Sequence, residues 1–347
     1  MVNKKAAQWI LCGVLGIATL ATFFASEVWT KEFLGSNNLM RISLYAAFFA
    51  SFFWVLNTDR KNETTDVTMP NWARALMVLL PMLAVVFAMV NALFPHVSEL
   101  VRMGDNDIFM RPGAMLRMFF ELVSCGIFLS LLPRFVRQKR WIGAAVLGIL
   151  VIVLFVMGME EISWGQRVFQ WQTTAYFTKH NVQGETNLHN LNTQLFQNVL
   201  FFGGFVLLAA LPFFYQRIAG FFTKISVLKP MTVFLPELWM LVAFSAGLMF
   251  VDPFMATYGL HWGSICFQLI ATIVLVIAFI VNTQDGEQLR LGLWALVCSA
   301  AVLALSLSYQ DLWMLNQGLP TEYIKTFINF GILCWAVRVH QRIALEA

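Results

Sequence analysis

Two short stretches gather the side chains able to move protons or hold a cation: Glu160-Glu161-Ile162-Ser163-Trp164-Gly165-Gln166-Arg167 and Gly184-Glu185-Thr186-Asn187-Leu188-His189-Asn190-Leu191. A carboxylate serves as general acid or base, a guanidinium stabilises developing negative charge, and carboxamides orient a substrate. Glu160, Glu161, Gln166, Arg167, Glu185, Asn187 and His189 are therefore candidate catalytic residues for hydrolysis or group transfer. Glu185 and His189 stand at i and i+4, which puts them on one face if a helix begins near Gly184. That pair can relay a proton, and with Glu161 it forms a candidate ligand set for a divalent metal. No phosphate loop, dinucleotide fingerprint, haem motif or nucleophile elbow stands where its context requires, so the sequence names no other cofactor.

Position makes these residues more informative than their types alone. Glu160 and Glu161 directly continue the apolar run 141 to 159, so they lie at a membrane boundary, where an unpaired charge is costly. Arg167 follows about two turns along if the helix continues, and Ser163 and Gln166 offer hydrogen bonds. Eight Asn or Gln side chains lie between Asn181 and Asn198, neutral groups suited to a sugar, a headgroup or one another. The plainer alternative is a surface ion-pair cluster followed by an amide-capped helix.

The strings E-E-I-S-W-G-Q-R at 160–167 and G-E-T-N-L-H-N-L at 184–191 resemble a pattern of an uncharacterised bacterial family of multi-pass membrane proteins. The resemblance covers about a tenth of the chain. It implies a shared polar site in a bacterial inner membrane protein and brings no activity with it.

The elements that must position these residues follow from composition. Of 347 residues, 59% are hydrophobic and 12% charged, a balance that would leave large apolar patches on a water-soluble domain. A bilayer core of roughly 30 Å takes about 20 apolar residues per helix. Continuous apolar runs select helices over a barrel, whose strands would alternate. The expected fold is an all-α, polytopic transmembrane bundle of about ten spans forming a single domain over 1–347. The spans are 7–25, 39–57, 74–94, 114–133, 141–159, 195–214, 231–251, 263–281, 291–309 and 320–338. The seventh is weakened by Pro236 and Glu237, and the tenth by Glu322 and Lys325. The first reads as a retained helix and not a cleaved signal, since its apolar run is long and no A-x-A site follows.

Orientation follows from the tendency of cytoplasmic loops to keep basic residues. With the amino terminus inside, inner segments hold 15 of the 23 Lys and Arg, anchored by Arg134-Phe-Val-Arg-Gln-Lys-Arg140. Both termini are then cytoplasmic, and residues 160–194 form a polar extracytoplasmic connection between the fifth and sixth spans. The basic balance is thereby explained without a nucleic-acid partner. His96, His180, His189 and His261 fall on or near the outer side, His261 in a connection that also carries Asp252 and Tyr258. The loop from His96 to Arg111 is mixed in sign. Trp29, Trp164, Trp171, Trp262 and Trp313 fit an interfacial aromatic belt.

Arg117 and Glu121, one turn apart in the fourth span, read as an internal ion pair that also suits a pocket wall. Cys12, Cys125, Cys266, Cys298 and Cys334 stand singly in apolar runs and read as small core residues.

The leading functional expectation is an integral membrane enzyme acting on a lipid or lipid-linked substrate at the extracytoplasmic face. A secondary transporter, with or without proton coupling, is the first alternative, since ten spans divide into five plus five as in an inverted repeat. Gly13 and Gly16 would then correspond to Gly203 and Gly204. A non-catalytic membrane scaffold or assembly partner is the second alternative.

Overall fold

The computed structural model describes residues 4–24, 112–169, 171–181, 184–192, 211–213, 215–237 and 319–345 as stretches, together with isolated positions elsewhere. Every regular element among these is helical and none is a strand. In chain order the main helices are α1 (Lys4–Phe24), α2 (Pro112–Arg137), α3 (Trp141–Glu161), α4 (Ala175–His180), α5 (Tyr215–Lys224) and α6 (Leu319–Leu345). α1, α2, α3 and α6 coincide with the expected first, fourth, fifth and tenth spans. The second, third, eighth and ninth spans, and most of the sixth and seventh, lie outside the described stretches.

Among the described residues two helices, α2 and α3, are long and apolar enough to cross a membrane. α3 has 21 residues, hence a length of about 31 Å at 1.5 Å per residue, close to one hydrocarbon core. Its exposed face is apolar: Ile149 is 61% and Ile152 64% exposed. Such a face is tolerable where lipid is the solvent and unfavourable where water is.

α2 and α3 form an antiparallel hairpin with a tight, basic tip. The Arg140 N–H donates to the Phe135 carbonyl at 2.9 Å and the Lys139 N–H to the Val136 carbonyl at 3.0 Å. This is a Schellman closure of α2 in which Lys139, at φ 56°, occupies the left-handed position that glycine usually fills. Gly143 then lets α3 start close against α2, because a Cβ there would stand 2.4 Å from the buried Phe135 ring. Near the other end of α3, a Cβ on Gly158 would meet Leu122 at 3.0 Å, so the helices also approach closely there.

α6 packs along α2 through ring contacts. Phe120 meets Phe330 and Phe128 meets Trp335, with centroids 5.4 and 5.3 Å apart. These contacts advance in the same direction along both helices, so α2 and α6 run parallel. Phe128 and Ala336 are fully buried.

A 3₁₀ segment, Lys229–Phe234, closes the basic end of this group. Its Phe234 ring packs on Phe135 at 5.7 Å, and the Phe234 carbonyl accepts from the Trp335 indole at 2.7 Å. The start of the expected seventh span is therefore 3₁₀ and then extended at Leu235, and not α-helical. Pro230 and Pro236 account for this, since each removes a backbone donor and the residue before proline avoids the α region. Glu237, which weakens that span in sequence, is buried but not alone. Its Oε1 accepts from Arg338 Nε at 3.0 Å and Arg342 Nε at 3.1 Å.

Candidate functional site

The polar stretch begins where α3 stops. Ile162 leaves the helical region, and Ser163, Trp164 and Gly165 follow with φ of 49°, 56° and 85°. Three successive left-handed residues, two of them not glycine, turn the chain sharply against its ordinary preference. A Cβ at Gly165 would lie 3.1 Å from Phe169, so glycine suits this position by space as well as by φ. One helical turn, Gln166–Phe169, follows.

Glu160, in the last turn of α3, is buried and surrounded by donors. Its Oε1 accepts from the Trp164 indole. Its Oε2 accepts from the Leu188 N–H at 2.7 Å, the His189 N–H at 2.9 Å and His189 Nδ1 at 3.0 Å. One carboxylate thus ties the end of a candidate span to a loop 29 positions away.

The same loop reaches Ser163. The Ser163 hydroxyl donates to Glu185 Oε2 at 2.6 Å, and Asn187 Nδ2 approaches that same carboxylate oxygen at 3.3 Å. Asn181 holds the loop in shape by donating to the Asn187 carbonyl at 2.9 Å and to its side-chain oxygen at 2.7 Å. Gln166 joins from the other side: its Oε1 accepts from the Thr186 N–H at 2.7 Å and its Nε2 donates to Thr173. Ser163, Asn181 and Asn187 are buried. Buried polar groups of this kind are costly unless satisfied, and here they satisfy one another.

Glu160, Gln166, Glu185, Asn187 and His189 are thus brought together in one network. Glu161 points elsewhere, accepting from Arg117 Nη2 at 2.7 Å across the α2–α3 hairpin. Arg167 lies in the helical turn after Gly165, but its side chain is outside the described residues. The outer segments around His96, Asp252 and His261 also fall outside them.

Two expectations about local geometry change. No helix starts at Gly184, which sits at φ 66°, and residues 184–192 run as bends and turns. The Asn181 and Asn187 side chains take up backbone groups that a helix would have used, a competition typical of asparagine. Glu185 and His189 therefore do not share a helical face: Glu185 faces Ser163, and His189 faces Glu160. The metal set of Glu161, Glu185 and His189 is dispersed, with Glu161 on Arg117, Glu185 on Ser163 and His189 on Glu160. Among the described residues no three His, Cys, Asp or Glu side chains are grouped to hold an ion.

Ser163, Asn181 and Arg117 are members or neighbours of the site that are missing from the catalytic set expected from sequence. The E-E-I-S-W-G string held a signal for Ser163, since a serine followed by Trp-Gly just past an apolar run fits a turn.

The His189 ring is partly accessible, its side chain 35% exposed, whereas the Glu160 side chain is 9% exposed. Nε2 of His189 takes no partner among the described residues. A carboxylate behind Nδ1 fixes ring orientation and tautomer, leaving Nε2 to accept a proton. No protein-family model matches the chain, and no curated protein or solved structure matches it either.

Proposed function

We propose that the chain is a multi-pass bacterial inner membrane enzyme that hydrolyses, or transfers a group from, a lipid or lipid-linked substrate at the extracytoplasmic face. In this reading about ten helices cross the bilayer and both termini are cytoplasmic. The reading rests on one observation: an accessible histidine is held through Nδ1 by a buried glutamate at the end of a helix long enough to span a bilayer.

In this assignment His189 Nε2 is the general base that takes a proton from water or from an acceptor hydroxyl. Glu160 is a positioning residue, because its oxygens are already engaged by Trp164, Leu188 and His189. Glu185, held by Ser163 and Asn187, is the second carboxylate of the site, and Gln166 ties the two halves of the loop together. Arg117 and Glu161 brace the helix ends beneath. A general base of this type contributes about 10²–10⁴-fold to rate.

The test is turnover of radiolabelled membrane lipid extract by purified protein, with His189→Ala and His189→Gln compared at equal folded amount. Loss of turnover in both variants supports the assignment. Unchanged turnover with either variant returns His189 to a structural role and removes the proposed base.

A further inference from the structure

Immediately after the turn at Ser163–Gly165, the chain presents an aromatic surface that the network does not use. Phe169 is 72% exposed, Trp171 45% and Tyr176 60%. Phe169 and Trp171 stack with centroids 5.5 Å apart. Both rings lie against the turn, since a Cβ on Gly165 would come within 3.1 Å of Phe169 and 3.4 Å of Trp171. Gln166 fastens the segment from behind through Thr173. In water, a stacked and anchored aromatic pair this exposed is unfavourable; something apolar must cover it.

The place of the segment in the chain identifies the cover. α3 is about one hydrocarbon core in length, so its end at Glu161 lies at the membrane boundary and the aromatic segment begins only a few residues beyond. At that depth Trp and Tyr rings are favoured, with an apolar body toward the tails and a polar edge toward the headgroups. The short helix α4 ends on Lys179 and His180, both exposed, which supplies basic groups beside the rings. Aromatic side chains followed by basic ones on a short surface helix form the pattern of an interfacial segment drawn to anionic headgroups.

We infer that Phe169 and residues 171–180 lie flat in the headgroup–acyl boundary of the leaflet bordering the site, with Phe169, Trp171 and Tyr176 inserted and Lys179 at lipid phosphate. This deepens the proposed function and rests on its premise that α3 crosses the bilayer. The segment then places the Glu160–His189 network at the depth of lipid ester and phosphate linkages, so a lipid substrate arrives by lateral diffusion and not from the aqueous phase.

The experiment uses nitroxide-labelled Trp171→Cys and Tyr176→Cys proteins, with native cysteines replaced by alanine, in vesicles of phosphatidylethanolamine and phosphatidylglycerol. Ile149→Cys and Lys139→Cys serve as controls for mid-helix and hairpin tip. The expected result is an oxygen-to-nickel-chelate collision ratio at 171 and 176 several-fold above that at 139 and below that at 149. Ratios at 171 and 176 equal to that at 139 overturn the inference while leaving the spanning helix intact. A low ratio at 149 as well means instead that the membrane premise has failed. A second measurement uses the unaltered chain with photoactivatable phosphatidylglycerol carrying its diazirine near the headgroup. Adducts on the peptide containing 169–180 are expected; their absence, with adducts present on α3 from a tail-labelled lipid, likewise overturns it.

Discussion

Arg117 and Glu161, 44 positions apart in sequence, meet at 2.7 Å across the α2–α3 hairpin, and the arginine side chain is only 4% exposed. Deep in a low-dielectric setting such a pair is worth keeping only as a pair. Arg117→Ala is expected to destabilise the protein by about 3–5 kcal/mol, because it strands a carboxylate at the helix end. The double substitution Arg117→Met with Glu161→Met should recover the share of that loss that belongs to this pair. Thermal unfolding in detergent reads both, and additive losses in the double variant would contradict the pairing.

Glu160 faces donors only, so Glu160→Gln sets an amide N–H against at least one of them. Turnover should fall by about 10²-fold or more, the scale of a misplaced general base. His189→Gln should be as severe, and the double variant no worse than either alone, as for groups that act as one unit. Independent, multiplying losses would separate the two residues.

At the basic end, Arg342 does more than Arg338. It donates to Glu237, to the Val233 carbonyl at 3.0 Å and to the Leu235 carbonyl at 2.5 Å, and its guanidinium lies 5.1 Å from the Tyr215 ring centroid. A lysine cannot reproduce that planar fork. Arg342→Lys is therefore expected to lower the unfolding midpoint more than Arg338→Lys. Limited proteolysis should show α6 released earlier in the former variant, and equal susceptibility would refute the ranking.

Gly143 and Gly148 lie in one helix but in unlike surroundings. A methyl group at 143 would collide with the Phe135 ring, whereas nothing lies within 4 Å of the position it would take at 148. Gly143→Ala should cost about 1–3 kcal/mol by overpacking. Gly148→Ala should be neutral or stabilising by up to about 1 kcal/mol through helix propensity. Chemical denaturation of the two variants in parallel distinguishes packing from propensity.

Lys139 and Lys179 are both exposed and flank α3 on opposite ends. An impermeant maleimide added to intact cells should label Lys179→Cys and leave Lys139→Cys untouched until the membrane is broken. Labelling of both from the same side would overturn the crossing.

The helical hairpin is legible because two apolar runs of about 20 residues, joined by a short basic tip, select helices of bilayer length. The apolar runs at 114–133 and 141–159 correspond to α2, Pro112–Arg137, and α3, Trp141–Glu161, within a few residues. The convergence of residues near 160 and 189 followed from the cost of boundary charges, but their pairing did not. Arg117 stands one turn from Glu121 on its own helix, and its Nη2 donates to Glu161 on the next helix, a partner that spacing along one helix cannot show. Spacing also placed Glu185 and His189 on one helical face, and the asparagines at 181 and 187 built a folded loop there instead. Periodicity reports what a helix would do; it carries no information on whether side chains will outcompete the backbone for its own hydrogen bonds.

A lysine at a left-handed closing position costs about 1 kcal/mol that a glycine would spare. Lys139→Gly should thus yield a sturdier protein, yet one with a less polar bend. Four cations stand at that one end of the hairpin, Arg134, Arg137, Lys139 and Arg140, so if α2 and α3 cross a bilayer, turning the hairpin over would mean dragging all four through hydrocarbon.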